Sequence, residues 1–393
     1  MDVDRFRNSP SGHLMPVGQG EAAYWAFIPN PLPPTLVPDW ELARSLSEAD
    51  RALSELAGVG RTMPNPHLLI GPFVRREAVL SSRIEGTRAD IADLYAYEAG
   101  QLPLPGLEEP PPKADVQEVL NYVRALEYGL QRLEALPVSL RLIRELHERL
   151  LAGVRGEYAT PGKFRTRQNW IGPAGCTLNE ASFVPPPVPQ MQEALYAVEK
   201  YLHDRGAYPP LIELALFHYQ FEAIHPFVDG NGRIGRLITS LLLVEWGLLP
   251  LPLLYLSAFF YRHRQDYYDL LMAISERGAW NEWLLFFLQG VADQARDAFH
   301  RVNRLQDLQA KWHEQLTQAR TSALLLALAD SLFQSPVLTI PEAQRRLDVT
   351  YRSAQLNVKR LVQDGILRQI GDSSYAKTFV ATEILDIIGE GYP

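Results

Sequence analysis

The sequence has little cysteine, no excess of basic residues and no unbroken apolar segment of membrane-spanning length. Its 393 residues include one cysteine, Cys176, which excludes an intrachain disulfide and a cysteine-rich zinc site. The formal net charge of −8 at pH 7 argues against a broadly basic surface for nucleic acid. The most apolar region, 237–261, is interrupted by Glu245 and Pro250, so it predicts a core helix and a turn rather than a membrane span.

The remaining composition is that of an ordinary globular protein. The hydrophobic fraction is 47% and the charged fraction is 21%, and the length predicts two or three domains. The first residues lack the basic-then-apolar layout of a secretory signal peptide. Since a single cysteine suits a reducing compartment, we expect a cytoplasmic protein with no membrane partner.

Apolar spacing predicts a mainly α-helical chain. Residues 1–38 are weakly periodic and end in a proline-rich segment, which predicts an extended arm without a helix. A second proline-rich break covers 103–112, and short extended pieces around 172–175 predict a β-hairpin within 156–189. Helices are predicted over 40–56, 71–99, 114–135, 138–152, 190–204, 211–223, 264–276 and 280–318.

The C-terminal residues 321–393 have the element order of a winged helix-turn-helix. The predicted order is a helix, a short strand, two further helices and a two-stranded wing at 366–379. Seven basic and eight acidic residues give this unit a net charge of −1, a poor footprint for DNA. Protein docking or dimerisation is therefore favoured over DNA binding. The predicted domains are 1–112, 113–318 and 321–393.

Residues 225–236, with the sequence HPFVDGNGRIGR, combine a base, a carboxylate, glycines and arginines just before an apolar helix. Glycines that close the backbone around an anion at a helix N-terminus make a phosphate site. His225 precedes Pro226, which places it in a loop where it can accept a proton. Asp229 offers a hard oxygen ligand for Mg²⁺.

This stretch resembles the signature of the Fic family, HPFx[DE]GNGRxxR, at every fixed position. The resemblance implies a Fic-type helical domain that transfers AMP from ATP to a protein hydroxyl, with Mg²⁺. It makes His225 the general base and Asp229 the Mg²⁺ ligand, and it assigns the γ-phosphate to Arg236. Doc-like kinases carry Lys at the position of Gly232, so the glycine favours AMP transfer over phosphorylation.

The other residues of the stretch are expected to bind the triphosphate. Gly230, Asn231 and Gly232 let backbone N–H groups approach the α-phosphate, and the Asn231 side chain can donate a further hydrogen bond. Arg233 and Arg236 are spaced i, i+3, so one helical face can direct both at a polyphosphate.

Ser81, Glu85 and Gly86 match the family's inhibitory motif [ST]xxxE[GN]. Ser81 and Glu85 are four residues apart, and thus on one helix face. The resemblance implies that Glu85 pairs with Arg236 and occupies the guanidinium that the γ-phosphate needs. In some relatives the same glutamate positions a water that removes AMP, so AMP transfer and AMP removal both stay open.

Substrate contacts are predicted from the same resemblance. The hairpin at 164–186 resembles the family's flap, which pairs with an extended segment of the target protein. Ordinary packing is the alternative role of Trp170 and of the tyrosine pair. The residues expected to line the nucleotide edge or to contact adenine are Asn169, Trp170, Ile171, Gly172, Tyr267 and Tyr268.

The leading hypothesis is an ATP- and Mg²⁺-dependent protein adenylyltransferase that Glu85 inhibits. One alternative is a hydrolase that removes AMP by using Glu85. Another is a DNA-binding transcriptional regulator whose Fic domain senses nucleotide. The target hydroxyl (Ser, Thr or Tyr), self-modification and homodimer formation are left open by the sequence.

Overall fold

The computed structural model describes residues 1–20, 23–37, 39–62, 66–98, 112–154, 160–173, 175–318, 322–370 and 377–389. Within the helix that begins at Pro66, side chains are described from Ile70 onward. The predicted break at 103–112 except its last residue, the residue Ala174 and the tip of the predicted wing at 371–376 lie outside these ranges.

The N-terminal segment forms a short helix and a hairpin, so the prediction of an extended arm without a helix is wrong for its first residues. Helix α1 (Val3–Phe6) is followed by antiparallel strands β1 (Gly12–Val17) and β2 (Tyr24–Pro29). The hairpin forms because Phe27 finds an apolar partner outside the segment. Its ring lies 5.6 Å from Phe6 and 5.8 Å from Phe183. The following residues 30–37 contain no helix, as predicted, and no strand.

The body of the protein is helical, as predicted. None of the helices in the described ranges is long and apolar enough to cross a membrane. The helices are α2 (Trp40–Thr62), α3 (Pro66–Ile84), α4 (Ile91–Glu98), α5 (Lys113–Arg132), α6 (Leu140–Leu150), α7 (Val188–His203), α8 (Pro210–Ile224), α9 (Asn231–Glu245), α10 (Ser257–Arg262), α11 (Arg264–Arg277) and α12 (Trp280–Gln318).

The predicted single helix over 71–99 is two helices, α3 and α4. Helix α3 ends at Ile84 because Gly86 takes a left-handed conformation with φ 98°, which glycine adopts without strain. Asp90 then accepts a hydrogen bond from Asp93 N at 2.8 Å in the first turn of α4. Pro72 lies inside α3 instead of opening it. Glu85 therefore occupies a turn directly after the helix.

The flap at 164–186 is less regular than a hairpin. Its pairing in the described residues is one antiparallel bridge between Ile171 and Phe183, and a 3-10 helix, Leu178–Glu180, lies between them. Prolines at 185–187 have no N–H to extend the ladder. Strand β2 continues the pairing on the outer side, where Phe27 N donates to Val184 O at 2.9 Å.

The C-terminal residues contain their elements in the predicted order. A three-stranded sheet has the order β3-β5-β4, and its strands pair antiparallel. The unit packs on the helical body, where Glu383 accepts hydrogen bonds from Lys311 and Trp312 of α12. Its identification as a winged helix stays a prediction. The elements are α13 (Ala323–Gln334), β3 (Val337–Thr339), α14 (Ile340–Leu347), α15 (Tyr351–Gln363), β4 (Arg368–Ile370), β5 (Thr378–Val380) and α16 (Thr382–Gly389).

Helices α8 and α9 lie in the core and carry the loop that begins at His225 between them. Helix α8 is buried on nearly all sides, which explains why its apolar residues show no single face. His218 lies inside it, fully buried, with its ring 2.8 Å from the Tyr267 hydroxyl and 3.0 Å from that of Thr239.

We expect Phe27→Ala to loosen the flap while the helical body stays folded. Replacing a buried Phe by Ala costs about 3–5 kcal/mol, and the Phe27 ring supports Phe183. Amide hydrogen exchange should rise at Ile171 and Phe183, which donate to each other's carbonyls at 2.9 and 3.0 Å, but not within α9. Trp25→Ala on the same strand is the control, because Trp25 is 42% exposed. Unchanged exchange at both amides would contradict the role of Phe27.

Candidate active site

His225 ends α8 in a left-handed conformation, with φ 49° and ψ 61°. Its imidazole Nδ1 lies 3.2 Å from the carbonyl oxygen of Glu222, one turn earlier. A carbonyl can only accept, so this contact places the proton on Nδ1 and leaves Nε2 able to take a proton. Burial is the main cause that lowers the pKa of His225 to about 4, and the charge of Arg165 lowers it further. The ring is neutral at pH 7.

The flap holds the loop that follows His225. Arg165, a buried residue, donates from Nε to His225 O at 3.0 Å, and its backbone N donates to Pro226 O at 2.9 Å. Asn169 donates from Nδ2 to His225 O at 3.2 Å and to Phe227 O at 2.7 Å. Asn169 was predicted at the nucleotide edge, but in this structure its amide nitrogen is used to hold the loop backbone.

His147 of α6 is a loop-holding residue that sequence reasoning missed. Its ring stacks on Phe227 at 3.7 Å between centroids. Nδ1 accepts from Gly162 N at 2.9 Å, so Nε2 carries the proton that faces Asp229 O at 3.0 Å. Burial lowers the pKa of His147 to about 4. The apolar face of the predicted helix contained this histidine, but nothing in the sequence linked it to the loop.

The Asn231 side chain closes the loop on itself. Its Oδ1 accepts from Phe227 N at 2.8 Å and its Nδ2 donates to Phe227 O at 2.9 Å. Only 2% of Asn231 is exposed. The predicted hydrogen bond from this amide to a phosphate oxygen therefore does not fit the structure, because the side chain points into the loop instead of out of it.

The N-terminus of α9 offers a place for an anion. Gly230 precedes the helix with φ 80°, which a side chain rarely adopts. The first N–H groups of a helix have no partner within the helix, and the helix dipole favours negative charge there. The backbone around Gly230 and Gly232 can thus approach a phosphate, as predicted from the glycines.

Asp229 fits a Mg²⁺ ion that is shared with a phosphate. Its Oδ1 accepts from Gly230 N at 2.7 Å, while the side chain is 52% exposed. No group of three or more acidic, histidine or cysteine residues that could hold a metal occurs in the described ranges. A single exposed carboxylate suits Mg²⁺, which commonly keeps water and substrate oxygens as its other ligands.

The two arginines of the loop do not point at one ligand. Arg233 is 5% exposed and donates from Nη1 to Glu118 Oε2 at 3.0 Å, with Asp229 Oδ2 3.6 Å from Nη2. The prediction that both guanidinium groups face the phosphates therefore does not hold for Arg233 in this state. Its ion pair with Glu118 attaches α9 to α5.

Arg236 contacts the end of α3. Its Nε donates to Ser81 Oγ and its Nη2 to Ser81 O, both at 2.9 Å, and Nη2 also donates to Glu85 Oε1 at 2.6 Å. The Arg236 side chain is 2% exposed. Burial opposes ionisation of Glu85, but the charge and hydrogen bond of Arg236 outweigh it and lower the Glu85 pKa. The predicted contact between Glu85 and Arg236 is present.

Gly232 makes room for this ion pair. A Cβ at position 232 would collide with the Glu85 carboxylate and would lie 3.0 Å from Arg236 Nη1. The glycine therefore has two uses, since the same missing side chain also lets a phosphate approach the helix N-terminus. Gly86 serves the pair from the other side, because its left-handed conformation turns the chain directly after Glu85.

Tyr267 does not face the site as an adenine contact. It is 1% exposed, its ring stacks on Phe260 at 4.5 Å, and its hydroxyl meets His218 at 2.8 Å. Packing, the alternative that the sequence allowed, is therefore its role here. Tyr268 is 39% exposed with the Arg264 guanidinium 5.7 Å from its ring, and its contact with adenine stays a prediction.

The other flap residues that were predicted to contact the nucleotide, Trp170, Ile171 and Gly172, lie at the surface. Trp170 is 41% exposed and donates from its indole N–H to Cys176 O at 3.0 Å, and Ile171 is 38% exposed. Gly172 has no space for a side chain, because a Cβ would lie 2.7 Å from Cys176 Sγ. The predicted nucleotide contact of these three residues is untested by the geometry.

Two family models match most of the helical body. The Fic/DOC family N-terminal model matches residues 43–131, and the Fic/DOC family model matches residues 137–243. The chain belongs to the Fic/DOC family. The N-terminal hairpin and the C-terminal unit lie outside both matches.

Named relatives of this Fic protein share only part of their length with it. The protein adenylyltransferase Fic of Aedes aegypti is 31% identical over 141 residues, which are 35% of this chain and 25% of the relative. The protein adenylyltransferase Fic of Nematostella vectensis is 27% identical over 197 residues, 49% of this chain and 41% of the relative. The chain thus spans less than half of the length of these two relatives.

A crystal structure of a Fic family protein from Desulfovibrio desulfuricans G20 has the same fold. It superposes with a TM-score of 0.56 at 20% sequence identity and covers 89% of this chain and 98% of its own. The mainly helical Fic fold predicted from the signature is therefore confirmed.

We expect the rings of His147, His218 and His225 to stay neutral well below pH 6. Burial lowers their pKa values to about 4, 3 and 4. The unfolded chain binds these protons near pH 6.5, so folding stability should fall as the pH drops from about 6.5 towards 4. NMR of the ring Cε1 signals, assigned with His-to-Gln variants, measures this. A His225 signal that titrates near 6.5 would contradict the geometry.

Proposed function

We propose that this Fic protein is a protein adenylyltransferase that transfers AMP from ATP to a hydroxyl group of a protein. The observation that carries the proposal is the assembled loop 225–236. It joins a histidine with an unprotonated Nε2 to a helix N-terminus that can hold a phosphate. The names of the matched relatives support the same reaction.

The reaction assigns one task to each group of the loop. The hydroxyl oxygen of the target attacks the α-phosphorus, the bond to the bridging oxygen of the β-phosphate breaks, and pyrophosphate leaves. His225 Nε2 takes the hydroxyl proton. The backbone N–H groups at the start of α9 stabilise charge on the α-phosphate. The negative phosphates raise the pKa of His225 towards neutrality, where a general base works best.

Asp229 would hold Mg²⁺ through its exposed carboxylate oxygen. The ion supplies neutralisation of phosphate charge when it is bound. The role of Asp229 itself is to fix the loop, because its other oxygen accepts from Gly230 N.

Glu85 inhibits the reaction in the state described above. Its carboxylate accepts a hydrogen bond from Nη2 of Arg236, and Ser81 accepts hydrogen bonds from Nε and Nη2. A γ-phosphate that needs this guanidinium must first displace Glu85. Activity then depends on the withdrawal of Glu85.

The protein substrate docks on the flap in this proposal, with the exposed Trp170 and Ile171 at its surface. The C-terminal unit, 321–393, binds protein instead of DNA. On α15, Tyr351 is 52% and Leu356 is 61% exposed, and Arg360 is paired with Asp364 at 2.9 Å. We place the division between the catalytic domain, 113–318, and this unit after α12, and the protein in the cytoplasm.

Replacement of His225 by Ala should lower AMP transfer by about 10²–10⁴-fold because the general base is lost. Purified protein with labelled ATP and cell lysate gives the readout. His203→Ala, an exposed histidine in the last turn of α7, is the matched control. Equal labelling by the two variants would reject His225 as the base.

Glu85→Gly should raise AMP transfer roughly 5- to 150-fold, the range of a typical coupling between two sites. Glu134→Gly is the matched control, since Glu134 is an exposed glutamate in the turn after α5. Its backbone N–H, like that of Glu85, donates to the carbonyl oxygen three residues earlier. The same samples can be tested for release of AMP from a labelled protein. Unchanged labelling together with loss of AMP release would favour the hydrolase hypothesis, in which Glu85 positions the attacking water.

A further inference from the structure

A second carboxylate, that of Glu222, lies near Arg236. Glu222 is in the last turn of α8, three residues before His225. Its Oε1 is buried and has no hydrogen-bond partner among the residues that the structure describes. A buried acceptor without a donor costs free energy, so such a group is expected to hold a proton or to change partners during function.

Gly235 creates the space for this carboxyl group. A Cβ at position 235 would lie 2.5 Å from Glu222 Oε1 and 3.2 Å from Cδ1 of Phe221. Position 235 is one of the positions that the Fic signature leaves open, as is position 222, which precedes it. The pairing of a glycine with a glutamate whose Oε1 is buried is therefore a feature of this chain beyond the signature.

The charges around Glu222 come from three other elements. Arg236 of α9 and Glu85 of the turn after α3 both act on it, and the hydroxyl of Tyr267 on α11 is affected by its charge. Burial raises the pKa of Glu222 to about 7, Arg236 opposes this rise, and Glu85 adds to it. The charges of both carboxylates thus act on one guanidinium, and the Glu222 carboxyl is partly protonated near neutral pH.

We propose that Glu222 is a positioning residue that sets how firmly Glu85 holds Arg236. The neutral Glu222 carboxyl leaves the Arg236–Glu85 pair undisturbed. The ionised carboxylate repels Glu85 and offers Arg236 a second anion, so the inhibitory contact loosens. The proposal rests on the proposed function only where AMP transfer is the readout, because the Arg236–Glu85 contact itself is seen in the structure.

The direction of the pH effect follows from linkage. The paired Glu85 raises the pKa of Glu222, so the inhibited state binds the Glu222 proton more tightly than the released state does. By reciprocity, loss of that proton favours the released state by the same factor. Inhibition should therefore weaken as the pH rises through about 7, the pKa of Glu222 in the inhibited state.

The first test needs no enzymatic activity. Protein labelled with ¹³C at the glutamate carboxyl carbons is titrated by NMR, and the Glu222 signal is assigned as the one missing from Glu222→Gln. Glu85→Gly should move the Glu222 midpoint downward by roughly half a pH unit or more, because a neighbouring negative charge is lost and Arg236 is freed. A midpoint that Glu85→Gly leaves in place would overturn the inference.

The second test uses the ratio of AMP transfer by Glu85→Gly to that by the parent protein, measured from about pH 6 to 8.5. This ratio isolates inhibition, since effects on nucleotide binding enter both rates. It should fall several-fold with rising pH in the parent background and stay high and constant in the Glu222→Gln background. The same ratio in both backgrounds at every pH would contradict the positioning role.

Gly235→Ala supplies an independent variant, because the added methyl displaces the carboxyl without removing it. In the Gly235→Ala background the ratio should no longer fall with rising pH, as in the Glu222→Gln background. Thermal denaturation checks that each variant is folded. If Gly235→Ala does not fold, the Glu222→Gln comparison still decides. A shifted Glu222 midpoint without AMP transfer in any variant would reject the proposed function alone.

Discussion

The contact between Arg236 and the end of α3 is the interaction on which the site depends. One buried guanidinium binds Ser81 and Glu85, and it is also the group that a nucleotide phosphate would need. The contact exists because three local features agree. Helix α3 ends at Ile84, Gly86 turns the chain away, and Gly232 leaves space for the carboxylate. A buried ion pair that loses one partner is strongly destabilised, so Arg236 requires an anion from one source or another.

The loop before α9 is rigid because it is held from several directions. Asn231 closes it from within, Arg165 and Asn169 hold its carbonyls from the flap, and His147 packs on its phenylalanine. Its backbone N–H groups are consequently fixed in direction before any ligand binds. Donors that are fixed in this way need not reorient as charge develops during a reaction. The N-terminal hairpin adds to this arrangement indirectly, because it supports the flap at Phe183.

The sequence predicted the local parts of this site and missed the distant ones. Most helices followed from apolar spacing, and the loop and the Glu85 contact were expected. His147 and Arg165 were missed because their contacts join segments far apart in the chain. Asn231 and Arg233 were assigned to phosphate because spacing shows which face a side chain occupies but not which partner lies nearer. The hairpin at 12–29 depends on a tertiary aromatic contact that periodicity does not register.

The central claim is that the loop exposes the α-phosphorus of ATP, and not its γ-phosphorus, to a protein hydroxyl. The most direct measurement compares Glu85→Gly protein supplied with ATP labelled at either the α- or the γ-phosphorus in the presence of lysate. The account predicts that the protein-bound label that is lost when His225→Ala is added to the same protein comes from the α-position alone. His225-dependent label from the γ-position would indicate a kinase and would contradict the account, as would the absence of His225-dependent label from both.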